Sequence, residues 1–427
     1  MDNSTVPTYR TKLFLSCNVK QHPPNIRFHV DPLFKAELRK LPWSVPISDW
    51  QYHGVSILNI KRGISRHMVI FVKAGRFSFG IKEISEEISK KEIDHYEQLL
   101  LRGIHTLVPA GFVVREEDPI PVNTPIGVQY EENFIAHTVT VLVHKVLPDS
   151  FLYSRNFRRE NRRKIWDAIV RLFVQLHSNG VYWGDASLAN TLIKFEKREV
   201  PFLGMQTILI AYLSDAETVE IRPRLSKSMR EADLNFFFES MDWINEDLLA
   251  SGVVRDAVGT EEDKLYMRER YDLLYNVERK KKKFEQQTSF NIDKFLGSIS
   301  NPAYVDQFLK HIEEHKWYLS ERAQREYTLA EATGDWYKTI FVPICELFRA
   351  EHIPELFKGK TAAELYIEIM NNKYYLSQQV GNDIGMVAAM RDYAERFGAE
   401  ERHLSLLEKL AGNMLKILGL KESMLLK

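Results

Sequence analysis

The periodicity of the apolar residues changes near Pro148, and this change constrains the fold more than any other feature of the sequence. From about residue 50 to residue 147, short runs rich in β-branched and aromatic residues, such as MVIFVKA and RFSFGIKEI, alternate with glycine-containing breaks, which is typical of strands. After Pro148, apolar residues recur at spacings of three and four, as in Ile165, Ile169 and Leu172, which predicts helices. The sequence therefore predicts an α+β protein with a β-rich first part and a helical second part.

These patterns divide the chain into four segments. We predict an N-terminal extension over residues 1–48, a small β-rich lobe over 49–148, a helical lobe over 149–245 and an all-helical C-terminal domain over 246–427. Within the small lobe, EISEEISKKEIDHYEQLLLRGI predicts a helix, after which PIGVQYEE and HTVTVLVHKVL predict two further strands. In the second lobe Gly180 is expected to end a long helix, and TLIKFEK and QTILIAYLSD predict a pair of strands.

Composition argues against several classes of protein. The chain has 58 Lys plus Arg and 58 Asp plus Glu, so its net charge does not point to nucleic acid or to an anionic membrane. Cys17 and Cys345 are too far apart for a metal-ligand motif. No apolar run approaches the roughly 18 residues of a membrane span, and the first residues lack the pattern of a signal peptide. We therefore expect a cytoplasmic protein for which nucleic acid is not the partner.

The stretch HSNGVYWGDASLANTLIKF places Asp185 and Asn190 five positions apart, between a helix and an apolar strand. Asp and Asn are common turn residues, so a polar turn is one interpretation. The other is a general base beside a neutral oxygen ligand, as metal-assisted transfer to a hydroxyl requires. Asp215 ends the apolar run ILIAYLSD and, with Glu217 as an extra ligand, would suit magnesium, unless it is only a turn residue.

Two further polar residues lie in the small lobe. Lys82, in FSFGIKEI, is either an exposed lysine on an edge strand or an ammonium group that binds phosphate and is oriented by a carboxylate. Glu92, on the helix that follows, offers that carboxylate, although taken alone it would be an ordinary exposed helix residue. A strand lysine, a helix glutamate, a D-x-x-x-x-N loop and a strand-ending aspartate occur here in the order of the parts of protein kinases.

The segments KEIDHYEQLLLRGIHTLVP and GVYWGDASLANTLI resemble motifs of the protein-kinase-like superfamily, in its atypical bacterial branch. The resemblance is closest to lipopolysaccharide kinases of the Kdo kinase type, to RIO-type and aminoglycoside-type kinases, and to an uncharacterised domain family associated with the first of these. It covers about residues 50–240. It implies a protein-kinase-like two-lobe fold that uses ATP and Mg²⁺.

The resemblance also implies roles for individual residues. Lys82 would hold the nucleotide phosphates and pair with Glu92, while Asp185 would be the catalytic base. The remaining assignments are Asn190, Asp215 and Glu217 for the metal, Gly63 and Ser65 for phosphate, His144 and Val146 in the hinge that contacts adenine, and Asp233 as a brace for the catalytic loop. The sequence departs from the family in its single glycine at Gly63, in Ala216-Glu217 after the metal aspartate, and in lacking an A-P-E-like segment.

Two functions follow from these expectations. The first is an ATP- and Mg-dependent phosphotransferase that moves the γ-phosphoryl group to a hydroxyl of a glycan, a small molecule or a protein; the missing A-P-E segment favours the first two. The alternative is a catalytically weak nucleotide-binding scaffold whose helical half binds a partner protein, as the poor glycine loop and the long helical extension would suit. Within that half, the basic run Arg279–Lys283 is either a solvated helix face or a contact for phosphate on an acidic substrate or nucleic acid.

Overall fold

A computed structural model of the chain describes residues 24–60, 67–124, 127–143, 146–153, 159–200, 204–254, 257–297, 299–357 and 360–398. The described residues form two compact units, the first from those within 24–58, His67–Ile93 and Ala110–Val141 and the second from the remaining described residues. Within the described ranges the protein is α+β: the first unit is rich in strands and the second is mostly helical, which confirms the predicted fold class.

The first unit is built on a six-stranded sheet. Its elements are β1 (Ile26–Val30), α1 (Pro32–Leu38), a 3₁₀ helix (Ile47–His53), β2 (Ser56–Ile57), β3 (Val69–Ala74), β4 (Phe77–Ile84), α2 (Glu86–Leu101, which continues into the second unit), β5 (Val108–Thr124) and β6 (Gly127–Val141). The strand order is β1-β5-β6-β4-β3-β2. The pairs β1–β5, β6–β4, β4–β3 and β3–β2 are antiparallel.

Strand β4 lies inside this sheet, between β6 and β3. Phe79 and Ile81 are fully buried in an aromatic core that also contains Trp50. Because successive side chains on a strand point to opposite faces, Lys82 lies on the other face, opposite Thr138 of β6. Its side chain is only 13% exposed, so the interpretation of Lys82 as a solvated edge lysine is wrong.

Two expectations for the first unit need correction. Residues 26–48 are not an extension outside the small lobe, because β1 pairs with β5 and α1 buries Phe34 and Leu38 in the core of the sheet. The sequence does not predict strand β5, because prolines at positions 109, 119 and 121 weaken its strand pattern. The two strands predicted after it are instead one long strand, β6, and a short one that belongs to the second unit.

The second unit is mainly helical. Its elements are β7 (Val146–Pro148), α3 (Asp149–Tyr153), α4 (Arg159–Ser178), β8 (Val181–Tyr182), β9 (Thr191–Val200), β10 (Gly204–Leu213), β11 (Glu220–Ile221), α5 (Lys227–Ala250), α6 (Glu261–Thr288), α7 (Ile292–Phe295), α8 (Pro302–Ala323), α9 (Leu329–Trp336), a π-helical turn (Tyr337–Phe341), α10 (Val342–Ala350), α11 (Ile353–Leu356), α12 (Ala362–Val380) and a helix over 385–398. The strands form a β10-β9-β7 sheet and a β11-β8 pair. Among the described helices, none combines the length and the apolar character that crossing a membrane requires.

Helix α6 is shared by the two cores of the second unit. Met267 and Tyr271, in its first half, are buried with α4 and α5 in one core. Phe284, near its end, is buried in the other core together with residues of α8 and α12. The predicted domain boundary between residues 245 and 246 falls within α5, so that boundary does not coincide with a break between elements.

The basic run Arg279–Lys283 lies on α6, and three of its lysines contact groups within the unit. Lys280 pairs with Asp306 of α8, and Lys281 pairs with Asp293 of α7. Lys282 donates to the carbonyl of Ser178 at 2.7 Å and to Asn179 at 2.9 Å, at the end of α4. These contacts attach α6 to the neighbouring helices. They account for three of the basic side chains in Arg279–Lys283 without a phosphate ligand.

Asp149, the first residue of α3, has a fully buried carboxyl group. It faces a small cavity lined also by Ile165, Trp166 and Val258. Among the described residues, neither of its carboxyl oxygens has a hydrogen-bond partner. Burial raises the pKa of Asp149 well above its usual range, so the folded protein keeps this proton at a pH where the unfolded chain has lost it.

This raised pKa predicts a pH dependence of stability. Below about pH 4, Asp149 is protonated in both the folded and the unfolded state, and its contribution to the free energy of unfolding is fully present. This contribution is lost as the pH rises through the raised pKa of the folded state. We expect Asp149→Asn to remove this loss, so that the variant is more stable than the wild type at neutral pH. Urea unfolding of both proteins between acid and neutral pH measures this; parallel stability curves would contradict it.

Candidate active site

The loop between β8 and β9 holds Asp185 and Asn190 in contact. The Nδ2 atom of Asn190 donates to the Asp185 carboxylate and to the Asp185 carbonyl, each at 3.0 Å. The loop is fixed further by Thr191, whose hydroxyl donates to the carbonyl of Ser187 at 2.7 Å. The amide side chain of Asn190 therefore orients the Asp185 carboxylate.

Pairing of β9 with β10 places Asn190 and Asp215 at one end of the same sheet. Thr191 is opposite Leu213, so the residues just outside the two strands are adjacent. The backbone N–H of Ser214 donates to the carbonyl of Asn190 at 3.0 Å. The next residue is Asp215, and its Oδ1 accepts a hydrogen bond from the backbone N–H of Glu217 at 3.1 Å.

The segment around Asp215 is held by helix α2 through contacts that the sequence did not predict. The hydroxyl of Tyr96 donates to the carbonyl of Ser214 at 2.7 Å. The Nδ1 atom of His95 lies 2.6 Å from the carbonyl of Ala216. The backbone on both sides of Asp215 is therefore fixed, which limits the positions that its carboxylate can adopt.

Asp233, on α5, accepts hydrogen bonds from the backbone of the loop that contains Asp185. The Asp233 carboxylate is completely buried. The N–H groups of Trp183 and Gly184 each donate to it at 2.8 Å, and the Nε2 atom of His177 lies at 3.0 Å. Hydrogen bonds to a charged acceptor are stronger than neutral ones, so Asp233 ties the residues directly before Asp185 to α5.

Gly184 is the residue that this loop geometry requires to be glycine. Its φ is +83°, a left-handed backbone conformation that residues with a Cβ atom rarely adopt. A Cβ atom at this position would also lie 3.0 Å from the carbonyl oxygen of Thr218. The hydroxyl of Thr218 in turn donates to the carbonyl of Trp183 at 2.8 Å. The close approach of the segments around Gly184 and Thr218 therefore depends on the absence of a side chain at position 184.

The donor set around Asp185 fits a divalent cation of the magnesium type. Because Nδ2 of Asn190 is used by Asp185, its Oδ1 is the atom left for a ligand, and among the described residues this oxygen accepts no hydrogen bond. Within the same described ranges, no lysine or arginine pairs with Asp185, so its charge has no counter-ion there. No group of three or more His, Cys, Asp or Glu side chains that could hold a metal occurs in the part of the chain that the structure describes. Magnesium commonly takes only one or two carboxylates and completes its shell with water and substrate phosphates.

In the first unit, Lys82 and Glu92 form a buried ion pair. The Lys82 Nζ atom lies 3.3 Å from Oε1 of Glu92, and Glu92 is 1% exposed. Ser89, one turn before Glu92 on α2, accepts a hydrogen bond from Thr138 of β6 and fixes that helix against the sheet. The ordinary exposed position considered for Glu92 is therefore wrong.

The other predicted site residues are placed as follows. Gly63, Ser65 and His144 lie outside the described residues. Val146 begins β7 and pairs with Lys194 of β9, in the same sheet whose end carries Asn190 and Asp215.

Comparisons with known proteins give partial similarities. A family model described as a domain of unknown function, DUF4032, matches residues 334–397. No curated protein matches the sequence. Among solved structures, the chain is similar to "WaaP in complex with acyl carrier protein", at 15% identity and a TM-score of 0.35, over 58% of this chain and 88% of that one.

The chain is also similar to two structures of Rio2 kinase from Chaetomium thermophilum. With the ADP/Mg²⁺-phosphoaspartate complex it shares 15% identity at a TM-score of 0.27, over 52% of this chain and 63% of that one. With the other Rio2 structure it shares 15% identity at a TM-score of 0.26, over 47% of this chain and 59% of that one. The similarity spans less than two thirds of each Rio2 chain.

Proposed function

We propose that this chain is a phosphotransferase that moves the γ-phosphoryl group of ATP to a hydroxyl acceptor. The observation that carries the proposal is a group of polar side chains at the end of the β9–β10 pair. There Asn190 donates a hydrogen bond to the Asp185 carboxylate, and Asp215 follows the neighbouring strand. A base and metal ligands in fixed positions are the parts on which phosphoryl transfer depends, because the reaction is accelerated mainly by positioning and by neutralising charge.

In this proposal each polar residue has one task. Asp185 accepts the proton of the acceptor hydroxyl as the oxygen attacks the γ-phosphorus and the bond to the β-phosphate oxygen breaks, which leaves ADP and a phosphorylated acceptor. Asn190 through Oδ1 and Asp215 through its carboxylate would hold magnesium, with Glu217 as a further oxygen ligand; the ion would supply positive charge to the phosphates. Lys82, oriented by Glu92, would bind the α- and β-phosphates, as the corresponding pair does in protein kinases.

The acceptor is proposed only as a class. A glycan or a small molecule suits a sequence without an A-P-E-like segment, and a protein acceptor is the third option. We place the reaction in the cytoplasm, where ATP is supplied. Gly63, Ser65 and the hinge residues His144 and Val146 complete the proposed nucleotide site.

The alternative is a scaffold that binds nucleotide without turning it over. The observation in its favour is the separate core of the helical half, which contains Phe284, Trp336 and Tyr366 and lies outside the proposed catalytic parts. That half would then bind a protein partner. Nucleotide binding is common to both functions, so only the chemical step separates them.

Nucleotide binding is tested by thermal unfolding with ATP, with and without magnesium. A ligand that binds only the folded state stabilises it by about 2.7 kcal/mol at a concentration of 100 times its Kd. We expect a rise in the unfolding temperature that requires magnesium and is lost in Asp215→Asn. Glu220→Gln, an exposed carboxylate paired with Arg222, is the control and should keep the shift. A shift of equal size in Asp215→Asn would contradict the assignment of Asp215.

A further inference from the structure

Helix α6, from the helical half of the chain, reaches the proposed catalytic loop through a chain of buried hydrogen bonds. The hydroxyl of Tyr271 lies 2.7 Å from Nδ1 of His177, near the end of α4. The Nε2 atom of His177 lies 3.0 Å from Oδ2 of Asp233. Asp233 in turn accepts the backbone N–H groups of Trp183 and Gly184, directly before Asp185.

The partners of His177 fix which of its nitrogens carries the proton. A carboxylate oxygen only accepts hydrogen bonds, so Nε2, which faces Asp233, must be the N–H donor. The ring is buried, and this burial lowers the pKa of His177, which favours the neutral imidazole. In the neutral ring Nδ1 is then an acceptor, and the hydroxyl of Tyr271 donates to it.

Tyr271 is buried beside His177, and its side chain also interacts with Arg230 of α5. Tyr271 is 3% exposed, and its ring packs edge-on against the His177 ring, with the centroids 5.4 Å apart. Lys282, on the same helix, binds the carbonyl of Ser178, the residue after His177. Near its start, α6 is also attached to α4 by Tyr266, which donates to Asp167 at 2.8 Å.

We propose that Tyr271 is a positioning residue for the catalytic loop, because its hydroxyl binds Nδ1 of His177 and holds the ring with Nε2 toward Asp233. If the Tyr271 hydroxyl is removed, the buried Nδ1 acceptor loses this donor and the ring can turn. The hydrogen bond from Nε2 to Asp233 would then lengthen, which would weaken the hold of Asp233 on the loop. This inference rests on the proposed function, and it makes α6 part of the catalytic apparatus rather than only a core helix.

The test compares Tyr271→Phe with Tyr275→Phe. Tyr275 lies one turn later on α6 and stacks on Tyr271 at 5.6 Å, and among the described residues its hydroxyl makes no hydrogen bond. We expect Tyr271→Phe to lower the kcat of ADP formation about 10-fold or more, as the loss of partners that orient a functional group often does. The KM for ATP should change little, because the phosphate-binding groups stay in place. Tyr275→Phe should keep both constants.

A spectroscopic readout separates this inference from the proposed function. In ¹⁵N-histidine NMR spectra of the wild type, His177 should be the Nε2–H tautomer, and in Tyr271→Phe this signal should shift or split, whereas Tyr275→Phe should leave it unchanged. Absence of ADP formation by the wild type would contradict the proposed function but leave this tautomer test intact. An unchanged His177 signal in Tyr271→Phe, or a kcat equal to that of Tyr275→Phe, would overturn the positioning role.

A double-mutant cycle provides a second, independent comparison. His177→Gln keeps an amide donor for Asp233 but has no ring nitrogen for the Tyr271 hydroxyl. If Tyr271 acts by holding the His177 ring, Tyr271→Phe should lower kcat in the wild type and have little effect in the His177→Gln background. Equal fold losses in both backgrounds would assign Tyr271 a purely structural role and overturn the proposal.

Discussion

Asp185→Asn is expected to lower ATP turnover by a factor of about 10² to 10⁴, the usual contribution of a positioned general base. The asparagine side chain has the same shape, and its oxygen can still accept the hydrogen bond from Nδ2 of Asn190. It cannot accept the proton of an acceptor hydroxyl. Because Asp185 has no lysine or arginine partner among the described residues, its replacement should leave the fold intact.

Two measurements check this result. ADP formation at saturating ATP and magnesium gives the loss of kcat, and thermal unfolding shows that the variant remains folded. Glu220→Gln also removes one carboxylate charge, but from an exposed ion pair, and should retain the wild-type rate. An Asp185→Asn variant with more than half of the wild-type rate would exclude Asp185 as the base.

Asp233→Asn is expected to have the largest effect on stability. The carboxylate accepts from Trp183, Gly184 and His177, and it is fully buried. An asparagine has one acceptor oxygen, so its NH₂ group would face at least one of these donors. A buried donor without a partner costs about 1 to 3 kcal/mol, and a hydrogen bond to a charged group contributes up to about 3 kcal/mol. We expect the free energy of unfolding to fall by about 3 kcal/mol or more.

Urea unfolding of the wild type, Asp233→Asn and Asp242→Asn measures this difference. Asp242 lies on the same helix and pairs with Lys264, but its side chain is 49% exposed. A surface ion pair contributes at most about 1 kcal/mol, so Asp242→Asn should be nearly neutral. If the two variants lose similar free energies, Asp233 does not anchor the loop in the way that its hydrogen bonds indicate.

The parts of the site that could be predicted from the sequence are those joined by short stretches of chain. Asp185 and Asn190 share one loop, and the strand pair after Asn190 returns to Asp215, so predicting the two strands also brings these three residues together. Lys82 and Glu92 are ten residues apart on a strand and the helix that follows it. In each case local pattern and short connections determine the contact.

Contacts between distant segments could not be predicted in this way. Tyr96 and Ser214 are separated by 118 residues, and His177 and Tyr271 by 94. Nothing in the spacing of a buried tyrosine on an amphipathic helix distinguishes it from an ordinary core residue. Its hydrogen bond depends on how α6 packs on α4, which is decided by tertiary contacts and not by periodicity.

Strand β5 illustrates a different limit. Its prolines at positions 109, 119 and 121 argue against a strand when the sequence is considered locally. Its described part nevertheless pairs with β1, with Val113 opposite Phe28. The local sequence of residues 26–48 likewise does not indicate that they join the lobe, because β1 is paired through β5. Pairing between segments therefore overrides the local propensities of both.

Magnesium-dependent formation of ADP from ATP by the wild-type protein, compared with Asp185→Asn, decides between a phosphotransferase and a scaffold. We expect turnover that stops when magnesium is chelated and that falls at least about 10²-fold in the variant. ATP that binds and stabilises the protein but is never converted to ADP, in either protein and at any magnesium concentration, would exclude the phosphotransferase and leave the scaffold function in its place.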